Sequence, residues 1–355
     1  MKSLGNFPDP FIAEISGQPD ALRRAASALA DQAGTLASIA VAATGRTLVF
    51  TGMGSSYDAC YPAVAELARG GIAAVMLDSA ELLHFRTAML GPHTLVVAVS
   101  QSGESAEVVK VAEHIRSSAV PSRIVAVTNG RTNTLASLAD DVLDTAAGEE
   151  FGPSTMTFAG SLVVVGAIAA VLTGASGPGV VERFGRETDM AAVAIERLLD
   201  DLATSDELVA WLGDRDTAVI LGRGPARAAA EMGALTIKEA VGMPIEALQT
   251  AQFRHGPLEL VGPNLAAMLI ATEPETAVLD MGLAKELSDA GASVFLITEA
   301  TRPAAIPGLA IGPIDRLLSS AVSIVPAQLL AWKLSGLRGR QPGAYYRASK
   351  VTTRE

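Results

Sequence analysis

The sequence predicts two tandem, doubly wound parallel α/β domains, with a helical segment before them and a short tail after. Three observations lead there. Short runs of valine, isoleucine and leucine recur without polar alternation, as strands buried on both faces of a parallel sheet do. Helix-length stretches separate these runs, which is the βαβ rhythm of such folds. The two halves also match at constant spacing: Gly52-Met53-Gly54 lies 170 residues before Gly222-Arg223-Gly224, and Val127 the same distance before Ile297.

The elements follow in order. An N-terminal helical segment, 1–44, carries a helix over Ala21–Ala43. The first domain, 45–175, has strands at Thr47–Thr51, Ala74–Asp78, Thr94–Ser100 and Arg123–Thr128, and a helix at Ser105–Ser117. It closes on the apolar stretch Ala159–Ala175. The unbroken part, Leu162–Leu172, is too short for about 30 Å of hydrocarbon, so a buried core helix is expected rather than a membrane span. Gly174–Gly179 is a Gly/Ser/Pro break before a linking helix, Val180–Leu202, within 176–204. The second domain, 205–338, has strands at Ala218–Leu221, Leu265–Ala271 and Ser293–Thr298 and a helix at Thr276–Ala290. The tail is 339–355.

Composition narrows the partners. The 355 residues carry 27 Lys and Arg against 38 Asp and Glu, a net charge of −11. A chain that is 49% hydrophobic and 18% charged folds rather than staying disordered. Without a basic footprint it is expected to bind neither nucleic acid nor anionic membrane. The single cysteine, Cys60, excludes an internal disulfide and any CxxC site. Met1–Ile15 lacks the apolar centre of a signal peptide. A cytoplasmic protein is the expectation. His84, His93, His114 and His255 lack metal-ligand spacing, so no metal and no cofactor are expected.

Open parallel sheets bind ligands beyond the carboxyl ends of their strands. Two segments stand there in the first half: Thr51-Gly52-Met53-Gly54-Ser55-Ser56-Tyr57 and Ser100-Gln101-Ser102-Gly103-Glu104-Ser105. Each opens a helix, whose free N–H groups favour an anion. The hydroxyls add uncharged donors. A plainer reading has Ser102 or Ser105 capping the helix. Tyr57 replaces the third glycine of a GxGxxG turn and Arg227 does so in the second copy, which argues against nicotinamide or flavin. Neither a GxxxxGK[ST] loop nor a GxSxG elbow occurs. In the second half Ala271-Thr272-Glu273-Pro274-Glu275-Thr276 replaces the serine loop with two carboxylates and a proline. One phosphate site is expected, in the first domain.

These segments resemble the SIS (sugar isomerase) family. Within it they resemble the isomerase half of glutamine–fructose-6-phosphate aminotransferases and stand-alone glucosamine-6-phosphate deaminases and deglycases. The resemblance runs from Glu14-Ile15-Ser16-Gly17-Gln18-Pro19 through Gly54–Tyr57, Ser100–Ser105, Gly222–Gly224, Glu231–Glu239 and Arg254-His255-Gly256-Pro257. It ends at Ser349-Lys350-Val351-Thr352. It implies flavodoxin-like domains and a sugar phosphate held by Ser56, Ser100, Gln101, Ser102 and Ser105. Gly54, Ser55, Ser154 and Thr155 would line the sugar pocket. Glu239 would move the proton between C1 and C2. His255 would open the ring, reaching into the neighbouring subunit of a homodimer. Lys350 would close the site from the tail.

The chemistry of aldose–ketose conversion calls for these residue types. A histidine titrates near neutrality. A shielded carboxylate acts as a base. An ammonium stabilises a developing oxyanion or an imine. The plainer readings are a solvated helix face for Glu239, a turn cap for His255, disordered surface for Lys350 and a small apolar core residue for Cys60.

Two departures shift the expected reaction. Thr236 stands where the aminotransferases carry a lysine. Glu150-Phe151-Gly152-Pro153-Ser154-Thr155-Met156 resembles their EIGVASTK-like segment, with Met156 in place of its lysine. No glutaminase segment is present in the chain, so glutamine is not expected as its own nitrogen source. The leading expectation is isomerisation coupled to removal of an amine from an amino sugar 6-phosphate. The alternatives are a plain phosphosugar isomerase, a deglycase, a transaminase-like isomerase and, in another class, a non-catalytic sugar-phosphate sensor.

Overall fold

The computed structural model describes residues 9–119, 121–200, 203–300 and 302–354. It contains two five-stranded parallel sheets. The first is built from β1 (Thr47–Gly52), β2 (Ala74–Asp78), β3 (Thr94–Val99), β4 (Arg123–Thr128) and β5 (Asp141–Asp144), in the order β2-β1-β3-β4-β5. The second has β6 (Thr217–Gly222), β7 (Glu246–Gln249), β8 (Leu265–Ala271), β9 (Ser293–Thr298) and β10 (Gly308–Ala310), in the order β10-β9-β8-β6-β7. Read from the other edge, the second order repeats the first strand for strand. The order reverses beside β1 in one sheet and beside β6 in the other, which is where open α/β sheets take ligands.

The seven strands expected from apolar runs all form. Three others do not follow from that criterion: β5, β7 and β10. Each is an edge strand of at most four residues. Edge strands need bury only one face, so Asp141-Val142-Leu143-Asp144 and Glu246-Ala247-Leu248-Gln249 carry polar ends.

Helices pack by their apolar stripes. Ala106–Ser117 presents Val108, Val111, Ala112 and Ile115, spaced i, i+3, i+4, i+7, against Val49, Val96, Ala98, Ile124 and Ala126 of the first sheet. Ala277–Asp289 presents Leu283, Ala284 and Leu287 to the second. Met156–Leu172 is buried on all sides through Val171. Its 17 residues span about 26 Å at about 1.5 Å per residue. Among the described residues no helix is long and apolar enough to cross a membrane.

The N-terminal segment forms two helices, Pro10–Ser16 and Gln18–Ala43. The linking helix runs Gly177–Asp200; positions 201 and 202 of the expected helix lie outside the described residues. The chain divides into two compact units, each assembled from separated segments. The unit of the first sheet comprises Asp20–Glu150, Met156–Asp189 and Arg347–Glu355. The unit of the second comprises Met1–Pro19, Phe151–Thr155 and Met190–Tyr346. Within the latter, helix Pro10–Ser16 packs on helix Val325–Leu337. Trp332 Nε1 donates to Asp9 Oδ2 at 2.5 Å, and buried Gln18 and Gln328 exchange amide hydrogen bonds of 2.8 and 3.1 Å.

Candidate active site

In the unit of the first sheet, the turns after β1 and β3 touch through glycine. A Cβ on Gly52 would stand 2.9 Å from the Val99 carbonyl oxygen and 3.0 Å from the Tyr57 nitrogen. The chain then turns at Gly54 (φ 51°) into the short helix Ser55–Asp58, where Ser56 is buried and Ser55 half-buried. The second turn is braced throughout. The Ser100 N–H donates to Val127 O and the Asn129 N–H to Gln101 O, each at 3.0 Å. The Gly103 N–H donates to both the carbonyl and the hydroxyl oxygen of Ser100, at 3.1 Å each. Glu104 faces outward, and its carboxylate accepts the Thr134 N–H and hydroxyl at 2.7 Å.

This geometry bears on the capping reading of Ser102 and Ser105. Ser105 occupies the N-cap position of helix Ala106–Ser117, yet its hydroxyl makes no capping bond. It pairs with the Ser100 hydroxyl at 3.0 Å. Ser102 accepts the Glu104 N–H at 3.1 Å and does not cap the helix either. So these hydroxyls bond within the loop, and the first turn of a 12-residue helix lacks a side-chain cap. A helix end of this kind favours an anion. Hydrogen bonds to a charged group are worth about 1.5–3 kcal/mol each, so several such donors can hold a phosphate without a lysine.

The tail belongs to the same unit. The Ala106 N–H, first in that helix, donates to the Thr352 carbonyl at 3.0 Å. Lys350 Nζ lies 2.6 Å from Glu150 Oε2; the two side chains are 19% and 0% exposed. The Glu150 carboxylate also accepts the Thr157 N–H at 3.1 Å and its hydroxyl at 2.5 Å. Lys350 is therefore ordered and paired, not the disordered surface of the plainer reading. In the sequence Glu150 is only the first residue of the segment Glu150–Met156, and nothing there marks it as the lysine's partner. Removing one member of a buried ion pair leaves the other uncompensated. Lys350→Met is expected to destabilise the protein by about 3 kcal/mol. The double variant with Glu150→Gln should recover part of that loss in urea unfolding, and strict additivity would show the pair to be uncoupled.

The other expected site residues belong to the unit of the second sheet. Glu239 is half-buried on helix Arg227–Val241, between exposed Lys238 and buried Ala240. His255 is exposed in the turn before Gly256 (φ 122°), its N–H donating to Gln252 O at 2.9 Å. Ser154 is half-buried and Thr155 buried, just ahead of helix Met156–Leu172. The backbone before them is fixed by Glu14, whose buried carboxylate accepts the N–H groups of Phe151 at 2.5 Å and Gly152 at 3.1 Å. The Thr236 hydroxyl donates back to Met232 O at 2.9 Å in the core. Met156, in the unit of the first sheet, packs on Ala21 and Ala147. Cys60 is fully buried, and burial together with nearby Asp58 pushes its thiol far above the usual range, which removes it as a nucleophile.

The matching turns of the second sheet differ as their sequence requires. Arg223, after β6, pairs with Asp280 at 2.8 Å, and Glu273 is buried after β8. Burial pushes the Glu273 carboxyl up to about 7; Arg316 opposes this, while Glu275, Glu299 and Asp280 add to it. An acid with a raised folded-state pKa destabilises the fold as pH rises from its unfolded value towards the folded one. Glu273→Gln should therefore gain on wild type in urea unfolding between about pH 4.5 and pH 7 and hold that gain at pH 8. A difference independent of pH would place the titration elsewhere.

Comparison with known proteins agrees with this architecture. The SIS domain model matches twice, over residues 43–171 and 212–334. Over 364 aligned residues the chain is 29% identical to the glutamine–fructose-6-phosphate aminotransferase [isomerizing] of Pyrobaculum aerophilum, covering all of this chain and 59% of that protein. The chain thus spans little more than half the length of that relative. The C-terminal domain of glucosamine-fructose-6-phosphate aminotransferase from Francisella tularensis superposes with a TM-score of 0.83 at 21% identity, covering 96% of this chain and 98% of that one. The glucosamine-6-phosphate deaminase of Thermotoga maritima superposes with a TM-score of 0.69 at 21% identity, covering 92% and 99%. With both sheets matched by one model and in one strand order, the chain belongs to the SIS domain family as a tandem pair, homologous to the isomerase part of those aminotransferases.

Proposed function

We propose that the chain is a phosphosugar enzyme that couples aldose–ketose isomerisation to removal of an amine from an amino sugar 6-phosphate. The observation that carries this reading is the serine loop with its hydroxyls turned away from capping, and the tail lysine docked on the same unit. In this reading the phosphate rests on Ser56, Ser100, Gln101, Ser102, Ser105 and the end of helix Ala106–Ser117. Domain 45–175 supplies that cradle, and domain 205–338 supplies Glu239 and His255. Gly54, Ser55, Ser154 and Thr155 contact the sugar.

With glucosamine 6-phosphate, His255 opens the ring and Glu239 carries a proton from C2 to C1. Lys350 holds the developing negative charge. The resulting C2 imine takes up water, giving fructose 6-phosphate and ammonia. His255 acts from the neighbouring subunit of a homodimer, and its exposure on the single chain supports that. Thr236 and Met156 in place of two lysines favour deamination over amination, and a Thermotoga maritima protein of this fold is named for deamination. The test is a coupled assay for ammonia and fructose 6-phosphate from glucosamine 6-phosphate. Sugar-phosphate interconversion without ammonia would mark a plain isomerase. Binding without turnover of any sugar phosphate would mark a sensor.

A further inference from the structure

The carboxyl edge of the second sheet holds a polar cluster that the roles above leave unused. Three segments meet at the turn Gly224–Ala226. A Cβ on Gly224 would stand 3.8 Å from Glu273 Cγ, so the Glu273 side chain lies against this turn. The Ser320 hydroxyl donates to Pro225 O at 3.0 Å, which seats the helix Ser319–Ser323 on the same turn. Thr272 precedes Glu273 on the segment after β8, and Ser319 opens the helix seated on the turn. They are 5% and 3% exposed, and neither hydroxyl has a hydrogen-bond partner among the described residues. Buried polar atoms are normally satisfied, so two unsatisfied hydroxyls on the segments that meet at this turn leave hydrogen-bonding capacity for a ligand. The nearby cations are already engaged: Arg223 with Asp280 at 2.8 Å and Arg316 with Glu275 at 2.5 Å.

We propose that this edge is a second small-molecule site, selective for a primary ammonium group, with Glu273 as counter-ion and the Thr272 and Ser319 hydroxyls as neutral acceptors. An –NH₃⁺ group brings three donors and no acceptor, which matches one carboxylate and two hydroxyls. An anion is disfavoured, because Glu273, Glu275, Asp280 and Glu299 outnumber Arg223 and Arg316 here. Among the described residues no three Asp, Glu, His or Cys side chains come together as a metal site, so the donor set does not suit a divalent ion. The site is the cationic counterpart of the anion cradle on the first sheet, built at the same place in a duplicated fold.

Binding an ammonium ionises Glu273, so affinity rises with pH. The charges facing that carboxyl are Arg316, Glu275, Glu299 and Asp280, the last held by Arg223. Between pH 6 and pH 8 the ionised fraction of a group near 7 grows about tenfold, and affinity should follow. The experiment is thermal unfolding of the full chain with methylammonium chloride, against potassium chloride and tetramethylammonium chloride at equal ionic strength. At tenfold excess over Kd the expected rise in Tm is about 2 °C for methylammonium alone. The rise should be lost in Glu273→Gln and in Thr272→Val and kept in Ser102→Ala. Equal shifts with potassium or tetramethylammonium, or a methylammonium response that persists in both site variants, would overturn the proposal. If Glu273→Gln does not fold, Thr272→Val and Ser319→Ala are read instead, and an unchanged response in both refutes it. The readout needs no turnover, so it stands or falls apart from the proposed reaction.

Discussion

Glu239→Gln is expected to lower kcat on a sugar 6-phosphate by roughly 10²–10⁴-fold, the usual contribution of a general base. The substitution keeps the shape of the side chain but replaces an accepting oxygen with a donating NH₂ and removes the proton acceptor. Because the proposed phosphate cradle lies in the turns of the first sheet, phosphosugar affinity should stay within about threefold of wild type. Two measurements check this: steady-state turnover, and a direct titration with the sugar phosphate. Wild-type kcat in the variant would remove Glu239 from the chemistry and return it to the plainer reading, a charge on a solvated helix face. Its position supports the base. It is half-buried while its neighbour Lys238 is exposed, so the helix turns Glu239 partly inward.

Gly103→Ala should disable the proposed phosphate cradle itself. Gly103 has φ 67°, where an L side chain costs about 1–2 kcal/mol. Its Cβ would also fall 2.0 Å from Asn133 Oδ1 and 2.2 Å from Asn133 Cγ. Asn133 would have to leave, breaking the cap it forms with the Ala136 N–H at 2.8 Å, a loss of about 1 kcal/mol. A total destabilisation of about 2–3 kcal/mol is expected in urea unfolding. Phosphosugar binding should weaken roughly 100-fold, equivalent to about two lost hydrogen bonds to the phosphate. Gly34→Ala is the matched control. Gly34 lies inside helix Gln18–Ala43 with open space around it, so alanine there should stabilise by up to about 1 kcal/mol. Unimpaired binding by the Gly103 variant would mean that the loop holds no phosphate.

What could be read from the sequence follows from where the information is stored. Strands buried on both faces, such as Leu95–Val99 and Leu265–Ala271, announce themselves as apolar runs, and so the duplicated architecture was legible. The edge strands Asp141–Asp144, Glu246–Gln249 and Gly308–Ala310 were not, because tertiary pairing rather than composition makes them strands. The serine loop was legible as a ligand loop or as a cap, whereas the pairing of the Ser100 and Ser105 hydroxyls, which takes Ser105 out of capping, was not. Glu150 as the partner of Lys350, and Glu14 as the clamp on Phe151 and Gly152, were not legible. Those pairs depend on residues 200 and more than 130 positions apart, a distance over which local pattern carries no signal.

Such separations also bear on synthesis at the ribosome. Gln18 must wait 310 residues for Gln328, and Glu150 must wait 200 for Lys350. At roughly 5–20 residues per second the first wait is about 15–60 s. Through the later part of that time the nascent chain carries all five strands of the first sheet with Glu150 lacking its cation, and throughout it the helix Pro10–Ser16 lacks its seat on Val325–Leu337. Holdase chaperones should therefore engage the emerging chain through the face of Pro10–Ser16 that bears Phe11 and Ile15, and release it only after the last helix has emerged.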